Sequence, residues 1–301
     1  MTATRAFIKK HPVLSYYALV FAISWGGILL VVGPDGFPAT GEQSDRLFPF
    51  VLVALFAGPS VAGILLTGLI YGRVGFRNLL ARMTRWRVGA RWYAVALLTA
   101  PLLVMATLLV FSMTSPEFLP RIFTSNEKAS LLLFGLAWGL VGGGILEELG
   151  WSGFAVPRLR LRYDGLTTGL ILGILWGGWH FLVAFWGSGT PSGELSLAVF
   201  LPAVLFYVGS LPAYRVLMVW VYDRTGSLLV AMLMHASFSA SMLILQPLEL
   251  DLVAGLGWNL LLAAALWAVV AAVAIPKGLR LSAPEASGLR RLLQARASAG
   301  R

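Results

Sequence analysis

Residues 142–151 read GGGILEELGW, and two adjacent carboxylates, Glu147 and Glu148, end an apolar run that has carried no charge since Lys128. A carboxylate in hydrocarbon costs several kcal/mol, so acidic residues inside membrane segments are rare and face the protein interior. Such residues most often belong to a functional site. The stretch therefore predicts a buried polar site within an apolar helix.

The composition of the chain is that of a multi-pass membrane protein. Of its 301 residues 58% are hydrophobic and 12% are charged, and the mean hydropathy is +0.81. The net charge of +10 fits basic residues that set topology and meet anionic lipid headgroups, so we expect no nucleic-acid partner. Cysteine is absent, which excludes disulfides and thiolate chemistry. We expect one integral domain over residues 1–301, in the cell membrane.

Apolar runs and basic residues together predict the topology. A bilayer core of about 30 Å needs about 20 apolar residues per helix. With the N-terminus in the cytoplasm, 20 of the 23 Lys and Arg residues fall on the cytoplasmic side, as the positive-inside rule requires. We therefore predict an all-α bundle of about eight transmembrane helices with both termini cytoplasmic. The runs are 12–33, 47–71, 91–113, 129–154, 165–187, 197–221, 226–246 and 252–275.

Two basic segments lie outside these runs. The segment 72–91 carries six arginines among aromatic residues and is typical of an interfacial helix on anionic headgroups. The segment 277–301 mixes arginine with Gly, Pro, Ala and Ser, and predicts a flexible cytoplasmic tail.

The ionisable residues that lie deep within the predicted membrane spans are concentrated on a few helices. At a rise of 1.5 Å per residue, Glu147, His180 and His235 lie roughly 12, 20 and 14 Å from the cytoplasmic face. This shared layer predicts that the three side chains converge, in a site that opens toward the cytoplasm. Ser239 lies four residues after His235 and shares its helix face. Glycines at 169, 173 and 177 form a small-residue stripe that allows close helix contact.

Each of these residues also has a purely structural interpretation. A single histidine in a membrane helix more often makes a structural hydrogen bond than a catalytic one. Arg215 either extends to the cytoplasmic interface or is a counter-ion for one carboxylate. Trp151 and Trp176 are most often packing residues. Several such residues in one layer favour a site over independent structural roles.

The residue types suit hydrolysis. Two carboxylates cannot both ionise cheaply in a low dielectric, and a carboxylate beside a histidine is a plausible general base for water. A second histidine and a hydroxyl could stabilise an oxyanion. Two histidines and a glutamate could instead bind zinc with one position open for water. Proton-coupled transport uses the same buried acids and is the rival interpretation.

Three motifs resemble those of the CPBP intramembrane proteases, also called CAAX-protease, Abi or bacteriocin-processing proteins. The resemblance covers about residues 130–245. The family patterns Glu-Glu-x3-Arg, Phe-x3-His and His-x3-Asn are matched by Glu147-Glu148 with Ser152, by Trp176 with His180, and by His235 with Ser239.

The resemblance implies an endopeptidase that hydrolyses membrane-embedded or lipidated peptide substrates. Glu147 and His180 would activate water, while His235 and Ser239 would support the oxyanion. The family resemblance leaves the cofactor undecided between none and Zn²⁺. A metal would be held by Glu147, Glu148, His180 and His235.

Three departures from the motifs matter. Ser152 stands where the family has arginine, and Ser239 stands where it has asparagine. Trp176 in place of phenylalanine is a milder change. We expect Arg215 or Arg158 to supply the missing positive charge near the glutamates. The departures also leave an alternative function, a catalytically weakened relative that acts as an immunity or scaffold protein.

Overall fold

The computed structural model describes residues 3–274 as a helical bundle, and the predicted tail 277–301 lies outside the described residues. Eight helices are long and apolar enough to cross a membrane, which confirms the predicted all-α, eight-span class. A short helix, Ala3–Lys10, precedes them. The eight are α1 (Pro12–Val32), α2 (Gly41–Met83), α3 (Ala90–Ser112), α4 (Lys128–Leu159), α5 (Gly165–Gly187), α6 (Leu197–Thr225), α7 (Leu228–Leu245) and α8 (Leu252–Ala274).

Helix α2 is longer than its apolar run because it continues into the arginine-rich segment. The continuation is bent at Gly72, whose φ of 59° is a conformation that glycine adopts at little cost. Arg82, in the continuation, donates to the carbonyl oxygens of Ser152 and Gly153 and to the Tyr222 hydroxyl. At least this arginine therefore supports the bundle and does not simply face lipid headgroups.

Side-chain caps begin the two helices that carry the histidines. The Asp164 side chain accepts from the Thr167 backbone N–H at the start of α5, and the Ser227 side chain accepts from the Val230 N–H at the start of α7. Such caps satisfy backbone donors that have no partner within the helix. They fix where each helix begins, and hence the depth of His180 and His235.

The predicted glycine stripe of α5 packs directly on the backbone of α6. A Cβ added at Gly169 would lie 2.6 Å from Cα of Val216, and Gly173 and Gly177 likewise face Pro212 and the Tyr207 carbonyl oxygen. Larger side chains would separate the helices, so the stripe allows the close approach that the sequence predicts.

Helix α4 departs from α-helical geometry around the two glutamates. It is α-helical over Lys128–Trp138, π-helical over Gly139–Glu147 and again over Trp151–Ala155. Single π-helical turns inside membrane or soluble helices are frequent at functional sites. A Cβ at Gly144 would lie 2.9 Å from the Met232 carbonyl oxygen of α7. The glycines therefore let α7 approach closely just before the carboxylates.

Candidate active site

Glu147 is buried, and one of its carboxylate oxygens is held by two indoles. Oε2 accepts from Nε1 of Trp176 at 2.7 Å and from Nε1 of Trp151 at 3.1 Å. The other oxygen, Oε1, lies 3.8 Å from Nε2 of His235. The two tryptophans are therefore hydrogen-bond donors to the carboxylate, a role that their residue type alone did not indicate.

Glu148 forms a buried ion pair with Arg215. Its Oε1 accepts from Nη1 of Arg215 at 2.7 Å and from Nδ1 of His235 at 2.7 Å, and its Oε2 accepts from the Ser152 hydroxyl. The side chains of Glu148 and Arg215 are both 0% exposed. Arg215 thus contacts the carboxylate instead of extending to the interface, and its guanidinium also lies 4.1 Å from the centre of the Trp176 ring.

Arg158 makes different contacts. It donates to the Phe154 carbonyl oxygen, and its guanidinium lies over the rings of Phe154 and Tyr71 at 3.7 and 4.6 Å. Of the two arginines considered from the sequence, the structure joins Arg215 to the glutamate pair. Its charge comes from α6, whereas the motif arginine would have come from α4 itself.

The hydrogen bonds of the two histidines fix which ring nitrogen faces the site. The Glu148 carboxylate can only accept, so Nδ1 of His235 is the donor and its Nε2 faces Glu147. Nδ1 of His180 lies 2.9 Å from the Trp176 carbonyl oxygen, which also can only accept. In neutral His180, Nε2 is therefore the acceptor nitrogen.

Tyr207 is a site residue that the sequence reasoning missed. Its ring stacks on His180 with centroids 4.9 Å apart and planes at 14°. It lies in a π-helical turn of α6, Phe206–Ser210. A tyrosine in the middle of an apolar span is the signal that could have identified it, since a buried hydroxyl usually requires a partner.

These side chains meet at a cavity of about 530 Å³. Glu147, His180, His235 and Ser239 all line it, whereas Glu148 lies behind them against Arg215. The volume is within the roughly 300–1,000 Å³ of small-molecule sites. Four phenylalanines supply much of the remaining wall: Phe48, Phe56, Phe206 and Phe238.

The sequence predicted a site that opens toward the cytoplasm, on the same side as both termini, and the direction in which the cavity opens corrects this expectation. Its lining continues from the site to Arg121, Gln246, Pro247 and Leu248, in the connections after α3 and α7. The described N-terminus and the arginine-rich end of α2 lie at the opposite end of the bundle. Cytoplasmic termini and a site that opens toward the cytoplasm are therefore incompatible. Depth can be counted along a helix, whereas an opening depends on where neighbouring helices separate.

The arrangement does not fit a zinc ion. Within residues 3–274 no group of three or more His, Cys, Asp or Glu side chains is placed to hold a metal. Glu148, one of the four expected ligands, instead accepts from the Arg215 guanidinium and from His235. A divalent cation there would lie beside a fixed positive charge.

Comparison with known proteins bears on the part of the chain that carries the site. Residues 128–241 match the family of type II CAAX prenyl endopeptidase Rce1-like proteins. A segment of 39 residues is 44% identical to CAAX prenyl protease 2 of Methanococcus maripaludis. That alignment covers 13% of this chain and 14% of the relative's length. The match over residues 128–241 contains all three motifs, and it confirms the resemblance of this chain to the CAAX-type intramembrane proteases.

Proposed function

We propose that this protein is an intramembrane endopeptidase that hydrolyses peptide bonds with water activated by Glu147. One observation carries the proposal: Oε2 of Glu147 is held by two indole N–H groups, while the carboxylate lines a cavity shared with both histidines. A carboxylate fixed in this way presents its free oxygen in a constant position. Such preorganisation is what a general base requires.

The nucleophile in this proposal is a water held between Glu147 and His180. Oε1 of Glu147 and Nε2 of neutral His180 are both acceptors, so together they can bind the two hydrogens of one water. A water bound in this way directs an oxygen lone pair toward a peptide carbonyl carbon. Glu147 takes one proton as the new carbon–oxygen bond forms.

The remaining groups suit the later part of the reaction. Negative charge develops on the carbonyl oxygen, and the Ser239 hydroxyl and the imidazolium form of His235 could donate to it. The ion-paired Glu148 beside Nδ1 would stabilise that imidazolium, as carboxylates do for catalytic histidines. The proton on Glu147 then passes to the amide nitrogen as the carbon–nitrogen bond breaks. The products are a carboxylic acid and an amine.

The substrates we propose are membrane-embedded or lipidated peptides. The four phenylalanines of the cavity wall favour an apolar chain over a polar soluble peptide. The matching relative is named a CAAX prenyl protease, so a prenylated peptide is a suitable first substrate.

The direct test uses purified protein in liposomes with a lipid-anchored peptide. Mass spectrometry in ¹⁸O-labelled water should show cleavage with one labelled oxygen in the new carboxylate, and Glu147→Gln should reduce that product by about 10²–10⁴-fold. Metal content is measured on the same active sample. The proposal would be contradicted if the wild-type protein left every peptide of a panel of lipidated and unmodified sequences uncleaved. Stoichiometric zinc in active protein would contradict the metal-free form of it.

Gly143 offers a test of how closely the site is packed. A Cβ at this position would lie 2.8 Å from Cδ2 and 2.9 Å from Nε2 of His235, and close to the Ser239 hydroxyl. Gly143→Ala should therefore displace both side chains. We expect cleavage to fall about 10²-fold, the cost of a displacement near 1 Å, while the bundle stays folded.

The control for this variant is Gly178→Ala, because a Cβ at Gly178 meets nothing within 4 Å. It adds the same methyl group to a membrane helix without touching the site. Equal cleavage rates for the two alanine variants would contradict the packing argument.

A further inference from the structure

The basic residues are divided unequally between the two ends of the bundle. Residues 3–274 contain seventeen Lys and Arg. Thirteen of them lie at one end of the bundle, in the N-terminal helix, in the α2–α3 and α4–α5 connections, and in the ends of the helices next to these connections and to the α6–α7 connection. We call this the basic end. The opposite end, which we call the cavity end, has three: Arg46, Arg121 and Lys128. The remaining one, Arg215, is buried within the bundle.

This bias indicates how the bundle sits in a membrane. Lys and Arg in short connections are retained in the cytoplasm during insertion, and acidic residues contribute little. All the connections counted here are short enough for the rule to apply. The basic end is therefore the cytoplasmic end, and the cavity end is on the other side of the membrane.

On three of the helices that line it, α7, α5 and α2, the cavity lining extends toward the cavity end. On α7 the lining runs from His235 through Ser239 and Met242 to Gln246, which follows the last residue of the helix. On α5 it runs from Trp176 through His180 to Val183, again away from the basic end. The first turns of α2 contribute Phe48 on the same side.

We infer that the cavity opens on the extracytoplasmic face of the membrane, and that its substrates are apolar, membrane-anchored peptides presented from that side. The orientation stands on the charge distribution and the cavity alone. That these peptides are cleaved as substrates rests on the proposed function. Lipidated proteins of the cytoplasm would approach the bundle at its other end, where the lining does not extend.

The absence of cysteine from the sequence makes the orientation directly measurable. Leu248→Cys marks the cavity mouth and Thr84→Cys marks the basic end, and both positions are exposed. In right-side-out vesicles a membrane-impermeant maleimide should label Leu248→Cys, and should label Thr84→Cys only after detergent is added. The wild type, without cysteine, gives the background. Labelling of Thr84→Cys alone before detergent would overturn the inference.

A second measurement tests the substrate class. Two single-span reporters carry the same apolar peptide segment, one on the extracytoplasmic and one on the cytoplasmic side, and are co-expressed with the wild type or Glu147→Gln. We expect Glu147-dependent loss of the extracytoplasmic reporter. Loss of the cytoplasmic reporter instead would overturn the inference. External labelling of Leu248→Cys with neither reporter cleaved would contradict the proposed function and leave the orientation supported.

Discussion

Glu147→Gln should reduce peptide cleavage by about 10²–10⁴-fold, the usual contribution of a general base, with no loss of the folded bundle. Glutamine has the same shape and keeps one carbonyl oxygen that can accept from the indoles of Trp151 and Trp176, which hold Oε2 in the native protein. It cannot take a proton from water. The defect should therefore appear in kcat while the KM for a membrane peptide changes little.

The measurement is steady-state cleavage in liposomes, with thermal unfolding in detergent as the check on folding. Glu194→Gln is a matched control, because it makes the same chemical change at an exposed residue between α5 and α6. Full activity of Glu147→Gln would exclude Glu147 as the base. A large loss of stability would instead mean that the carboxylate holds the two indoles in place.

Arg215→Met should destabilise the bundle by about 3–5 kcal/mol, since it leaves a buried carboxylate without its counter-ion. Methionine fills much of the same space, so lost packing is a small part of the effect. The Glu148 side chain is fully enclosed, and its Oε1 would keep the His235 donor but lose the guanidinium at 2.7 Å. Cleavage should fall as well, because Glu148 orients His235.

The double variant Arg215→Met with Glu148→Gln separates charge from packing. It removes both charges and keeps a hydrogen-bond acceptor for His235, so it should recover most of the stability lost in the single variant. Unfolding of the wild type, Arg215→Met, Glu148→Gln and the double variant in one detergent gives the coupling energy of the pair. A double variant no more stable than Arg215→Met would show that packing, and not the uncompensated charge, is responsible.

The class of the protein and the depth of its site follow from local sequence properties. The eight apolar runs predicted the eight spans because each helix must satisfy its own backbone within the bilayer, whichever helices surround it. The first, third and fifth spans begin and end within a residue of their predicted bounds, and the eighth begins at its predicted residue. The second differs most, since its helix passes through the bend at Gly72.

The residues of the site could be selected but their pairing could not. Ionisable residues inside apolar runs are conspicuous because placing them in a membrane costs free energy. This identified Glu147, Glu148 and the two histidines. Whether Arg215 or Arg158 meets the glutamates depends on how α4 and α6 rotate about their axes. Two π-helical stretches set that rotation in α4. Ser152 stands in place of the motif arginine, which suggests a lost positive charge, and Arg215 supplies one from α6.

By itself, then, the sequence determined an eight-span helical membrane protein, the ionisable residues held at depth, and the charge bias between its two ends. The tertiary structure decided which oxygen of Glu147 is held by two indoles, which arginine pairs with Glu148, and toward which end the cavity opens. Hydrophobicity and charge act on each segment separately. Contacts and openings are properties of several helices together, and they depend on rotations and separations that no single segment specifies.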